Sequence, residues 1–310
     1  MELIRGLHNL RPRHRGCVAT IGAFDGVHAG HQSVLKPLLA KGRELNLPTV
    51  VIVFEPLPRE YFAPLQAPAR LMSFREKFEA LRALGVDRLL RIRFNNEFRS
   101  KSADEFIDQV FIKGLDVRYL VVGDDLRFGH DRKGDYELLR KVGLSNNFDV
   151  VNTSTLEVED ERVSSTRIRQ ALAAGDFALT EELYGRPFSI SGKVVYGRQL
   201  GRTLGAPTAN LQLHRLRAPL SGVYAAEVLG ATDRPEPAVV NIGTRPTVDE
   251  GIKAILEAHL LDFKGSLYGK TINVVFKQKI REEKKFDSLA DLERNIQADL
   301  MVGRKIFGLA

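Results

Sequence analysis

Near Tyr184 the chain changes its periodicity, and that change limits the possible folds more than any other feature of its 310 residues. Upstream, residues 17–24, 48–54, 89–94 and 119–122 read as strands. Residues 32–45, 74–84, 103–112, 135–142 and 166–174 read as helices. The run Val50, Val51, Ile52, Val53 has no polar member, as expected of a strand buried on both faces. Ser102 with Glu105 three residues on marks a helix start. Strands alternating with helices predict an α/β unit, a parallel sheet covered by helices on both faces. Downstream, residues 189–196, 223–229, 238–242, 255–261 and 271–276 are short strand-like runs separated by Gly and Pro. They predict a barrel or sandwich, closed by an amphipathic helix over 288–302. The expected domains are therefore 1–184 and 185–310.

Bulk properties narrow the class. The net charge of +7 is a field suited to anions. No long Lys/Arg tract or nucleic-acid motif accompanies it, so small phosphorylated substrates are expected rather than nucleic acid. No apolar run reaches the roughly 18 residues a spanning helix needs, and no membrane partner is expected. Residues 1–15 lack the apolar core of a secretory signal. Cys17 is the only cysteine, which precludes an internal disulfide and fits a reducing, cytoplasmic setting.

The string Ile21-Gly22-Ala23-Phe24-Asp25-Gly26-Val27-His28-Ala29-Gly30-His31 follows one strand and opens a helix. Glycines at 22, 26 and 30 permit close backbone approach, and the helix start offers unpaired N–H groups to an anion. His28 and His31 bracket Gly30 and can donate to phosphate oxygens, where charge develops during nucleotidyl transfer. The alternative is a pair of turn histidines or metal ligands; no cluster of further ligands supports zinc. Arg162, Ser164, Ser165, Thr166, Arg167 and Arg169 stand at the start of a later helix. Hydroxyls there can simply cap the helix, or serve a triphosphate with arginine as a bidentate clamp. In the string VGDDLRFG, at the end of a buried strand, Asp124 or Asp125 can bind a ribose, a flavin or Mg²⁺, or merely form a turn.

In the second half, glycines recur at 197, 201 and 205 in a basic stretch. Gly201 and Gly205 suit a loop folding over phosphates. Thr208 and Asn210 then offer neutral oxygens to Mg²⁺; the plain alternative is a glycine-rich turn before a strand. Glu257 and His259 share a strand face, and Glu257 can accept a hydroxyl proton or be an exposed barrel residue. The GSLYGKT string at 265–271 imitates a phosphate-binding P-loop. It has one residue too few between its glycines and precedes a strand, so that reading is rejected.

The strings GAFDGVHAGH, FEPLPREYF, VGDDLRFG and VSSTRIR, with GRTLGAPTANL, SGVYAAEV, NIGTRPT and LEAHLLDF, closely resemble those of the bacterial bifunctional riboflavin kinase/FAD synthetases. The resemblance runs over essentially the whole chain. It implies a Rossmann-like nucleotidyltransferase unit followed by a riboflavin-kinase β-barrel with a terminal helix. It implies that riboflavin and ATP give FMN in the second half, and FMN and ATP give FAD and pyrophosphate in the first, with Mg²⁺ at both. By that likeness Gly22, Asp25, His28, Gly30, His31, Arg162, Ser164, Ser165, Thr166 and Arg169 handle ATP. Phe62, Asp125 and Phe128 line the flavin site, although either Phe can equally be core. Thr208 and Asn210 hold Mg²⁺ and ATP, and Glu257 activates the ribityl hydroxyl. Leu126 departs from the pattern, standing where an aromatic is common.

Overall fold

The computed structural model describes residues 1–153, 155–197, 206–246 and 252–309. They form two compact units, Met1–Ala67 with Lys77–Ser164, and Pro68–Glu76 with Ser165–Ala310.

The first unit is a six-stranded sheet of β1 (Glu2–Arg5), β2 (Cys17–Ile21), β3 (Thr49–Glu55), β4 (Arg88–Arg93), β5 (Val117–Gly123) and β6 (Asp149–Thr153), in the order β1-β4-β3-β2-β5-β6. Every pairing is parallel. All five residues of β2 are buried, and so are the first five of β3, including the apolar Val50–Val53 stretch. Helices α1 (Ala29–Leu45), α2 (Pro58–Phe62), α3 (Phe74–Ala83), α4 (Asn96–Arg99), α5 (Ala103–Phe106) and α6 (Tyr136–Asn146) fill the connections. Only the first four residues of the expected helix over 103–112 are α-helical; the rest widens into a π-turn that buries Ile107, Val110 and Phe111. The Ser102–Glu105 capping box forms as read. The chain leaves β2 for β3 and β4 on one side and returns through β5 and β6 on the other. The order therefore reverses between β2 and β5, the place where open α/β sheets bind ligands beyond their carboxyl ends.

A two-stranded ribbon, β7 (Glu157–Val158) and β8 (Glu161–Arg162), closes this unit. Its turn residues Glu159 and Asp160 are both left-handed, at φ 51° and 60°, the geometry that tight hairpins prefer.

In the second unit, α7 (Ser165–Ala174) and α8 (Phe177–Tyr184) precede a closed antiparallel barrel. Its strands are β9 (Ser189–Val195), β10 (Ala209–Gln212), β11 (Gly222–Leu229), β12 (Glu236–Pro246), β13 (Ile252–Leu260) and β14 (Thr271–Arg281), in the order β10-β13-β12-β11-β14-β9. Helix α9 (Leu289–Ile306) packs on the outside, where Leu300 meets the patch of Val223, Val239 and Leu261. Gly303 is the contact point: a Cβ there would strike the Val239 side chain. The segment Pro68–Glu76 belongs to this unit and carries a charged contact to it. Glu76 is ion-paired with Arg215, whose side chain is only 1% exposed, and it also accepts from the Ser191 amide at 2.7 Å.

Candidate active sites

After β2 the chain turns sharply through residues 22–27, with buried Phe24 and Val27 held left-handed at φ 47° and 43°. The loop places His28 at the N-cap of α1 and His31 one turn in. The His28 amide donates to His31 Nδ1 at 3.3 Å, and the two rings stack 3.7 Å apart. Because Nδ1 is the acceptor, neutral His31 carries its proton on Nε2. Removal from water pushes the His31 pKa well below its ordinary value, and the neighbouring His28, Lys77 and Arg162 push the same way. His31 is thus a neutral hydrogen-bond donor at pH 7.

Gly30 has a steric reason to be glycine. A Cβ would lie 3.0 Å from the Val163 carbonyl and 3.2 Å from the His28 ring. The close approach brings residues 162–164 against the histidine helix. Gly22 is similarly pressed by the Phe24 ring, and Asp25 is buried within the loop.

Arg162, delivered by β8, meets the turn after β5. Its Nη2 lies 3.0 Å from Asp125 Oδ2 and 3.5 Å from Asp124 Oδ1, while Thr155 donates to Asp124 at 2.6 Å. Two segments far apart in sequence, expected to handle ATP and flavin respectively, are therefore joined by an ion pair. Ser164 ends the first unit, while Ser165, Thr166 and Arg169 lie on α7 in the second. There Arg169 Nε donates to the Ala69 carbonyl at 2.6 Å.

Phe62 and Phe128 stand at opposite ends of one chain of rings. Phe62 is 61% exposed at the end of α2 and meets Phe94 edge-on. Phe94 contacts Phe98, Phe98 contacts Phe106, and Phe106 contacts buried Phe128. Leu126 packs against the same core.

In the barrel, Asn210 of β10 stands directly opposite Glu257 of β13, and Glu257 stands opposite Asn241 of β12. Three polar side chains from three strands thus share one face. Nothing local marks Asn241; only the strand register places it there. Gly197 is cleared for Asn210: a Cβ there would collide with the Asn210 amide. His259 Nδ1 donates to the Pro207 carbonyl at 2.8 Å and fastens the start of the strand that carries Thr208 and Asn210. Thr208 lines a cleft of about 210 Å³ together with Pro207, Phe263, Ser266 and Tyr268. The rejected P-loop imitation is therefore the wall of this cleft. At its edge Tyr196 and Tyr268 stack 4.0 Å apart. Gly201 and Gly205 lie outside the described residues.

Two family models match the chain in tandem, FAD synthetase over residues 10–167 and riboflavin kinase over 184–307. The bifunctional riboflavin kinase/FMN adenylyltransferase of Pseudomonas fluorescens is 52% identical over 306 residues, covering 99% of this chain and 98% of that protein. The chain belongs to the bifunctional riboflavin kinase/FMN adenylyltransferase family. The Escherichia coli (strain K12) member of the family is 51% identical over 310 residues, covering 100% of this chain and 99% of its own. A crystal structure described as a macrolide-efflux protein from Streptococcus pneumoniae is 32% identical with a TM-score of 0.76, covering 98% of this chain and 99% of that one. Among the described residues here, no helix is long and apolar enough to cross a membrane.

Proposed function

We propose that this bifunctional riboflavin kinase/FMN adenylyltransferase runs its two reactions at two separate sites, FMN adenylylation within residues 1–184 and riboflavin phosphorylation within 185–310. The observation that carries the assignment is the pairing of Asn210 with Glu257 on one barrel face, far in sequence from the stacked His28 and His31.

In the kinase reaction, Glu257 accepts the proton of the ribityl hydroxyl as its oxygen attacks the γ-phosphorus of ATP, and ADP leaves. Asn210 offers a neutral oxygen opposite that carboxylate and Thr208 offers another two residues before it, and no cluster of three His, Cys, Asp or Glu among the described residues forms a metal cage. This donor set fits Mg²⁺, which takes one or two protein ligands and completes its shell with water and phosphate oxygens. Bound there, Mg²⁺ supplies charge neutralisation on the phosphates. The cleft beside Thr208, walled by Phe263 and Tyr268, takes the nucleotide.

In the adenylyl transfer, an FMN phosphate oxygen attacks the α-phosphorus of ATP and pyrophosphate leaves. His31 Nε2–H and His28 donate to the phosphate oxygens where charge accumulates, and the fixed loop holds them ready. Arg162 and Ser164, with Gly22, Asp25 and Gly30, complete the ATP set. Asp125 and the ring chain from Phe62 to Phe128 supply the flavin set. The half-exposed Arg162 exchanges its Asp125 partner for phosphate when ATP binds. A cytoplasmic location fits a chain whose single cysteine is buried and whose substrate is ATP.

The test is a single reaction of purified protein with riboflavin, ATP and Mg²⁺, with flavins separated over time. FMN should appear first and FAD second. His28→Ala with His31→Ala should abolish FAD formation and leave FMN formation, whereas Glu257→Ala should do the reverse when FMN is supplied. Equal loss of both activities in either folded variant would overturn the two-site assignment.

A further inference from the structure

Lys77 is 1% exposed, one of the largest fully buried side chains of the molecule. Lysine is almost never buried to this degree without a demanding partner, since an ammonium taken from water must be compensated by hydrogen bonds. Its Nζ donates to the Ala23 carbonyl at 2.7 Å. Ala23 lies between Gly22 and left-handed Phe24, in the turn that aims His28 and His31. The Phe24 ring in turn lies 5.0 Å from that of His31. The charge of Lys77 reaches His31 as well.

From these contacts we infer that Lys77 is a positioning residue for adenylyl transfer, holding the Gly22–Ala23–Phe24 turn so that the histidine pair meets the reacting phosphates. A helix from a distant part of the sequence thereby sets the backbone of the phosphate loop. The ammonium touches no reacting atom; it acts through the Ala23 carbonyl and adds a fixed positive charge beneath an anion-binding loop. Two non-glycine residues of this turn, Phe24 and Val27, sit left-handed, a conformation that must be held from outside, and the Lys77 donor is one of the groups that hold it. The inference rests on the assignment of FMN adenylylation to the histidine loop.

Lys77→Met keeps the stem volume and removes the donor and the charge, while Lys77→Gln restores a shorter donor without charge. Both are assayed in the full chain for FAD formation from supplied FMN, with riboflavin phosphorylation in the same preparation as the control for folding. His31→Ala is run beside them. For Lys77→Met the expected result is a fall in kcat for FAD formation of at least about tenfold, the lower range of effects from misplaced reacting groups, with KM for ATP changed less than about threefold. Kinase rate should be unchanged, and Lys77→Gln should lie between Met and wild type. Wild-type FAD formation by Lys77→Met overturns the inference. So does a parallel fall of both activities with lost thermal stability, which marks Lys77 as structural only. If instead His31→Ala leaves FAD formation intact, the underlying assignment of the histidine loop fails, and that outcome is read separately.

Discussion

Asn210 and Glu257 face each other across the β10–β13 pair, and Asn210 keeps its place only because residue 197 has no side chain. A Gly197→Ala substitution should therefore imitate Asn210→Ala. Both should depress riboflavin phosphorylation while leaving FAD formation from supplied FMN unchanged. Glu257→Gln should lower the kinase rate about 10²- to 10⁴-fold, the usual contribution of a general base. Steady-state rates of the two reactions for the three variants check this.

Gly30→Ala tests the approach of Val163 to the histidine helix. The added methyl meets a backbone carbonyl at 3.0 Å, which cannot swing aside as a side chain would. We expect a stability loss of about 1–3 kcal/mol, typical of overpacking, and a disproportionate loss of FAD synthesis. Denaturant unfolding beside the two activity assays would measure both.

The partly buried, desolvated imidazole of His31 predicts how stability depends on acidity. Its folded-state pKa lies well below the usual value, so the unfolded chain binds a proton first as pH falls. Above about pH 6.5 both states are neutral there and nothing is lost. Below it, this group removes stability at about 1.4 kcal/mol per pH unit until the folded pKa is reached. Melting curves between pH 7.5 and 5 should show a shallower acid decline for His31→Asn than for wild type.

Cys17 is fully buried in β2, and burial pushes its thiol pKa up to about 12. The folded protein should not react with thiol reagents over hours at pH 8, and one equivalent should react once denaturant is added. Rapid labelling without denaturant would contradict the placement of β2.

Local chemistry made much of this molecule legible in its sequence. The unbroken apolar stretch from Val50 to Val53 is a central strand, and Ser102 with Glu105 caps a helix as its spacing dictates. The histidine motif lies at a helix start because glycine and loop residues precede it. The strand before it ends at Ile21 rather than Phe24, since residues 22–27 must turn before the helix. Long-range facts were invisible. Asn241 reads as one polar residue in an apolar run until the register of β12 with β13 sets it beside Glu257. Lys77 reads as a surface lysine of an amphipathic helix, and only packing shows it buried on the Ala23 carbonyl. Helix α8, Phe177–Tyr184, lies where the periodicity changes and gives too few turns to register.

The Arg215–Glu76 ion pair bears on how such an enzyme can be divided or assembled in evolution. The barrel borrows a carboxylate from a segment more than a hundred positions upstream, within the span that the FAD synthetase family model matches. A gene truncated to start at residue 185 would encode every barrel strand yet strand a buried guanidinium without its counter-charge, a loss on the order of 3–5 kcal/mol. A free-standing kinase descended from this arrangement must change residue 215 to a neutral side chain or acquire an acid within the barrel itself. In this chain the barrel is thus tied, by a side-chain contact as well as by the peptide bond, to a segment inside the span that the FAD synthetase family model matches.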